Sequence, residues 1–210
     1  RIAEQARANA ARRFPWAPDY RDASDVWCRL GPANEEHGLR QGNNDPRDDG
    51  RGISGVCDGI GYRGTDLGNR RPFLYFDVDP TYMGWNDRAV EITVVARRAA
   101  ADQPAIMTVV YESATGYHEY GKRTTTPGLN TEMLFESETY RMPELWYLDP
   151  GTDWQTHTWH LPDACFIQKW GWTFEINVEM SPGDVWVREV RVRRLRIGER
   201  SGEAPAGGAP

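Results

Sequence analysis

At 210 residues with a formal net charge of −6, the chain suits one domain large enough to bury its own core. The negative balance argues against a nucleic-acid binder that gains affinity by neutralising phosphates, and no stretch approaches the roughly 20 apolar residues of a transmembrane helix. Nine tryptophans exceed what packing a domain of this size needs, which points to aromatic surfaces that meet a ligand.

The chain opens on Arg1 rather than methionine, as a processed or trimmed start would. "RIAEQARANAARR" is built of strong helix formers and stops at "FPWAPDY", where two prolines forbid continuation. Residues 1–30 therefore read as a short N-terminal helix and a lead-in. Residues 31–69 are dense in Gly, Asn, Asp and Arg and read as turns, with one short strand near Ile53 to Cys57. Cys28, Cys57 and Cys165 lack a metal-binding spacing and allow at most one disulfide. A Cys28–Cys57 bridge would close the polar loop between them, and Cys165, in "DACF", reads as a small buried hydrophobe.

Strands follow with a period of two. "FLYFDVD" sets Leu74, Phe76 and Val78 on one face; "AVEITVVAR" sets Val90, Ile92 and Val94 inward; "IMTVVYES" sets Met107, Val109 and Tyr111 on one side. "GWTFEINVEM" alternates Trp172, Phe174, Ile176, Val178 and Met180 with polar residues. "VWVREVRVRRLRI" changes phase between Val187 and Val190 and again between Val192 and Leu195, which predicts a β-bulge. Short strands, many turns and no internal helix predict an all-β sandwich or jelly roll over 31–198. The polar, Gly-, Ala- and Pro-rich residues 199–210 read as a linker-like tail, as if other domains of a larger polypeptide adjoined it.

The ordered segments "EEHGL", "RPFLYFDVDPTYMGW", "AVEITVVAR", "VVYESATG", "DWQTHTWHLPDACF", "WTFEINV" and "VREVRVRRL" resemble the galactose-binding-like β-sandwich modules of bacterial polysaccharide-degrading enzymes. The resemblance spans roughly Glu35 to Ile197 and lies in strand order and anchor residues. It implies a jelly-roll β-sandwich, secretion or a cell-surface location, binding of a carbohydrate polymer, and one structural calcium with Glu35 and Glu36 of "NEEHGL" as its carboxylates. It does not by itself imply catalysis. The loop from Thr124 to Pro150 and the 31–69 region are longer and more charged than a small module needs, and long loops on a β-scaffold usually carry function.

Sugar recognition needs flat aromatic faces to pack on pyranose C–H groups and planar polar side chains to bond vicinal hydroxyls. Three loops supply both: "TYMGWND" with Trp85 and Asp87, "TGYHEYGKR" with Tyr117, Glu119 and Arg123, and "ELWYLDPGTDW" with Trp146, Tyr147 and Asp149. These eight are the candidate ligand-binding residues. In "DWQTHTWHL" the face shared with Leu161 is the expected core, so Trp159 is structural and His157 lies at the core edge. Trp154 reads either as a corner plug or as part of a binding platform.

Two enzymatic alternatives compete with non-catalytic binding. A polysaccharide lyase would need a base, an acid and a cation, for which "GYHEYGKR" offers His118, Tyr120 and Arg123. A glycoside hydrolase would need two carboxylates about 5–9 Å apart, and nothing in the sequence pairs any two. A structural role in a cell-surface assembly is the remaining alternative.

Overall fold

The computed structural model describes residues 18–42, 52–83, 88–115, 140–166 and 172–195. The helix expected at the N-terminus and the tail from residue 199 lie outside them. Thirteen strands are present among the described residues: β1 (Asp25–Arg29), β2 (Glu35–His37), β3 (Leu39–Gly42), β4 (Ile53–Cys57), β5 (Ile60–Gly64), β6 (Phe73–Val78), β7 (Arg88–Arg98), β8 (Ile106–Glu112), β9 (Tyr140–Arg141), β10 (Trp146–Tyr147), β11 (Gln155–Ala164), β12 (Phe174–Asn177) and β13 (Val185–Arg194).

They form two sheets. The seven-stranded sheet runs β11-β7-β13-β1-β2, with β5 pairing β13 and β4 pairing β5; the six-stranded sheet runs β10-β8-β12-β6-β3, with β9 on β8. From β6 onward the long strands change sheet at each step, β6, β8 and β12 in one and β7, β11 and β13 in the other, which is the course of a jelly-roll sandwich. The period-two pattern decides which side chains fill it. Val90, Ile92, Val94, Val190, Val192, Trp159 and Leu161 of one sheet meet Leu74, Phe76, Phe174, Ile176, Met107 and Val109 of the other, all essentially buried. Each such side chain contributes about 1.5–3 kcal/mol through burial.

The phase change in the last strand is a bulge. The β13–β7 register slips between Val187 and Glu189, leaving Arg188 as the extra residue, and its carbonyl accepts a 2.7 Å bond from the Leu30 N–H. The second phase change, at Leu195, falls where β13 has ended. Pro162 sits where β11 slips against β7, between Leu161 and Ala164. β11 lies at a sheet edge, the setting in which a strand tolerates a residue without an N–H.

Four expectations are corrected. The lead-in was expected to extend to residue 30, but β1 is an interior strand of the seven-stranded sheet, held by five register pairs to β13, so the sandwich begins before residue 31. Cys28 and Cys57 are not bridged: Cys28 faces the core on β1, where burial pushes its thiol up to about 12, whereas Cys57 ends β4 and its Sγ accepts a 3.4 Å bond from Arg97 Nη1. Region 31–69 holds four strands rather than one. Asp58 and Gly59 both take positive φ (53° and 76°) between β4 and β5, the two-residue turn that an Asp-Gly pair favours. Finally, Trp172 and Met180 leave the inward face of β12, because the strand spans only Phe174–Asn177. Met180 is 54% exposed, and Trp172 turns to the opposite face.

Candidate functional site

That opposite face is the outer surface of the six-stranded sheet. Alternation sends Phe73, Tyr75 and Asp77 of β6 outward, with Glu175 and Asn177 of β12 beside them in register and Thr108 and Val110 of β8 beyond. Tyr140 of β9 lies opposite Glu112 of β8 and so joins the same face. Four half-buried rings form a continuous band there. Phe73 stacks on Tyr75 at 6.0 Å, Tyr75 on Trp172 at 5.4 Å with planes 16° apart, and Tyr140 leans on Trp172 at 5.1 Å. Trp172 reaches the band because the Thr173 N–H and hydroxyl both bond the Phe76 carbonyl at 2.8 Å, which closes the chain onto β6 just before β12 begins.

The polar groups between the rings are recessed. Glu175 is nearly buried and accepts a 3.1 Å bond from the Asn177 amide. Asp77 has a side chain only 9% exposed. Its Oδ2 receives Arg40 at 3.3 Å, while its buried Oδ1 has no hydrogen-bond partner. Gly42 of β3 crowds it, since a Cβ there would come within 2.9 Å of Asp77 Oδ2. Burial pushes the Asp77 carboxyl above its ordinary range against the opposing pull of Arg40. A buried acceptor oxygen left unbonded costs stability and is the group a ligand hydroxyl can satisfy.

This gives a two-part expectation for Asp77→Asn. The raised pKa means that the folded state prefers the neutral side chain, so the stability associated with Asp77 is present at low pH and lost as pH rises through the folded pKa. At neutral pH the amide is therefore expected to match or exceed the wild type in urea midpoint. Affinity for a ligand that bonds Oδ1 falls by about 2- to 10-fold, the worth of one hydrogen bond. A stable variant with unchanged binding would remove Asp77 from the site.

The residues proposed from sequence distribute unevenly. Trp85, Asp87, Tyr117, Glu119 and Arg123, with His118 and Tyr120 of the lyase alternative, lie outside the described residues. Trp146 lies opposite Met107 on β10, packs against the core and stacks on His157 at 5.1 Å. Tyr147 projects the other way, 64% exposed, on the banded face but at the far end of β8 from Tyr140, about 20 Å away by strand rise. Asp149 is exposed, and its backbone closes a pair of bonds with the Gln155 amide. Glu35 and Glu36 are successive residues of β2, so their side chains leave opposite faces and do not suit one shared ion. Glu35 pairs with Arg29 at 3.3 Å, and Glu36 Oε1 accepts the Gln41 N–H at 3.2 Å. Among the described residues no three metal-ligating side chains converge. The sequence reading missed the band, although "PFLYF" offered a signal: its outward set, Phe73 and Tyr75, is as aromatic as its inward set.

Trp159, His157 and Glu144 form a second cluster, at the core edge. The Trp159 indole donates to the Glu144 carbonyl at 2.9 Å. His157 stands edge-on to Trp159 at 4.5 Å, with Nε2 3.7 Å from a Glu144 carboxylate oxygen, an ion-pair distance too long for a hydrogen bond. Burial lowers the His157 pKa, partly opposed by Glu144. With the folded pKa below the unfolded value of about 6.5, the unfolded chain binds the proton first. Stability thus falls as pH drops below about 6.5 and levels off under the folded pKa. The loss in urea midpoint between pH 7.5 and 5.5 is expected to be larger for wild type than for His157→Gln; equal losses would refute the lowered pKa.

Asp163 anchors the "DACF" segment. It accepts from the Tyr111 hydroxyl at 2.8 Å and the Ser113 hydroxyl at 2.5 Å, tying the end of β8 to β11. Burial works against its ionisation, yet the bonds from Ser113, Thr115 and Tyr111 prevail and lower its pKa.

No helix among the described residues is long and apolar enough to cross a membrane. No known protein family matches the chain, and no curated protein matches it. Among solved structures, the chain is similar to apo BiXyn10A CBM1, at 9% identity and a TM-score of 0.42, over 83% of this chain and 100% of that one. It is also similar to the cleaved K1 adhesin domain of Lys-gingipain (Kgp) from Porphyromonas gingivalis W83, at 16% identity and a TM-score of 0.35, over 85% of this chain and 97% of that one. Both likenesses lie in the course of the backbone, at identities too low to transfer residues.

Proposed function

We propose that the protein is a non-catalytic module, secreted or displayed at a cell surface, that binds a carbohydrate polymer on the outer face of its six-stranded sheet. The observation that carries this reading is the band of Phe73, Tyr75, Trp172 and Tyr140 with the unbonded Asp77 Oδ1 recessed beside it. Ring faces suit the C–H faces of sugar rings, and a recessed acceptor gives orientation. With Tyr147 at the far end of β8, the face is long enough for an extended chain rather than a single sugar. Strands carry Phe73, Tyr75 and Tyr140, and the Thr173 bonds to the Phe76 carbonyl position Trp172 beside them, which limits the ordering entropy that opposes binding.

The test is affinity electrophoresis through gels containing neutral or uronic-acid polysaccharides, with and without EDTA, alongside assays for unsaturated and reducing ends. Retardation without products supports the module. Loss of retardation in EDTA would assign it the calcium that the sequence resemblance implies. New chain ends would overturn the non-catalytic reading in favour of a lyase or hydrolase, and neither retardation nor products would favour a structural role.

A further inference from the structure

The outer face of the other sheet carries a different arrangement, which the carbohydrate band does not use. Tyr62 of β5 stacks on Trp186 of β13 at 4.2 Å with planes 14° apart. The guanidinium of Arg97 lies over Trp186 at 5.0 Å and over Trp154 at 5.6 Å, and that of Arg188 lies over Trp154 at 5.4 Å. Two rings and two guanidinium groups of β5, β13 and β7 thus gather with Trp154, just before β11, on one face of the sheet. Trp154 is neither a corner plug nor an open platform: it packs against two guanidinium groups, those of Arg97 and Arg188.

Arg188 also borders a cleft of about 430 Å³ between the β1–β2 turn, the β4–β5 hairpin and the β13 bulge. The cleft is lined by Arg188, Arg29, Glu35 and Glu189 and by the apolar Val56 and Ile60. Glycines at 31 and 61 let two backbones meet there, since a Cβ on Gly31 would lie 3.3 Å from the Gly61 Cα. The charges are not equivalent. Arg29 is shared between Glu35 at 3.3 Å and Glu189 at 3.6 Å, and Glu189 also receives Arg191 at 3.0 Å. Both acids of the cleft are therefore compensated by other arginines. Arg188 has no carboxylate within 4.0 Å among the described residues, and its guanidinium lies over the face of Trp154.

An arginine whose flat face is occupied by an indole keeps its N–H edge free and its orientation set, which is the form that recognises a planar oxyanion in two parallel hydrogen bonds. The bulge supplies the direction: the extra residue in β13 places Arg188 at the cleft, with its carbonyl fixed by Leu30. The cleft's volume is that of a small-molecule site, which suits one or two sugar rings better than a length of polypeptide.

We propose that this cleft is a second ligand site, for an oxyanion-bearing sugar whose carboxylate or sulfate is taken by Arg188 and whose apolar face rests on Val56 and Ile60. Its occupant differs in charge from any neutral glycan on the banded face, and the two sites are on opposite sheets.

Calorimetric titration with an oligogalacturonide, a sulfated oligosaccharide and a neutral oligosaccharide tests it on wild type, Arg188→Gln, Arg188→Lys and Trp172→Ala, each checked for cooperative unfolding. At least one acidic oligomer is expected to bind wild type with a salt-sensitive affinity. That affinity should fall at least about tenfold in Arg188→Gln, the scale of a charged hydrogen bond. Arg188→Lys should bind in between, because it keeps the charge without the fork. Trp172→Ala should bind the acidic oligomer as wild type does, even if neutral binding is lost or never present. The oligomer that binds distinguishes uronate from sulfate. Wild-type affinity in folded Arg188→Gln, loss of acidic binding in Trp172→Ala, or no acidic binding by wild type would each overturn the site. A polyglutamate peptide that bound through Arg188 where neither oligosaccharide did would replace the sugar with a protein partner and overturn it likewise.

Discussion

Trp172→Ala is expected to abolish practical retention on gels of neutral polysaccharide while leaving a folded domain. Trp172 is the ring that joins the band: Tyr75 lies on one side at 5.4 Å and Tyr140 on the other at 5.1 Å. Removing it breaks the surface into separate pieces and withdraws the largest flat face. Aromatic anchors of this kind are worth about 2 kcal/mol or more in a binding interface, roughly a 30-fold rise in Kd. The cost to folding is smaller, because Trp172 is half-buried and lies outside the core between the sheets. Tyr75→Ala should weaken binding in the same direction. The measurement is retardation against polysaccharide concentration for wild type and both variants, with urea denaturation as the control for folding. Undiminished retention of a folded Trp172→Ala on neutral polysaccharide would move the site away from this face.

Trp159→Ala should have the opposite profile, a large loss of stability. Trp159 heads the largest fully buried side chains of the core, lies opposite Ile92 in the β11–β7 pair, and spends its indole N–H on the Glu144 carbonyl at 2.9 Å. Truncation removes apolar contact from both sheets, leaves a void between close-packed layers and strands that carbonyl. Substitutions of this type cost about 3–5 kcal/mol. For a domain of this size each kcal/mol lowers Tm by about 2–4 °C, so a fall of roughly 6–20 °C is expected. Trp159→Phe fills most of the space without the N–H and should lie between. A Trp159→Ala protein within a degree or two of wild type by calorimetry would show that the inner face of β11 has been misassigned.

The two tryptophans show how unevenly the sequence disclosed its structure. Trp159 was legible because "QTHTWHL" alternates cleanly and Leu161 labels its face as core. Trp172 carried the same alternation in "WTFEINV" but lies two residues before the strand, where period two no longer governs direction. The bond from Thr173 to the Phe76 carbonyl decides its side, and that partner is 97 residues away. The bulge in β13 was readable from the phase slip between Val187 and Val190. The β4–β5 hairpin was also readable, from Asp58-Gly59, but was absorbed into a region of turns because its strands are short and rich in glycine. Arg188 and Trp154 gave no sign of meeting. One belongs to a bulge and the other precedes an edge strand, and the contact exists only because β7 lies between β11 and β13.

What the sequence determined by itself was local: the strands, the buried side of each, and hence an all-β sandwich of two layers. Alternation is a property of neighbouring residues and needs no knowledge of the partner strand. The tertiary structure alone decided which strands are neighbours. It therefore decided that Phe73, Tyr75, Trp172 and Tyr140 share one surface, that Asp77 keeps an unbonded oxygen, and that Cys28 and Cys57 remain apart. Those outcomes depend on pairing order and register across long separations in sequence, and no local period encodes either.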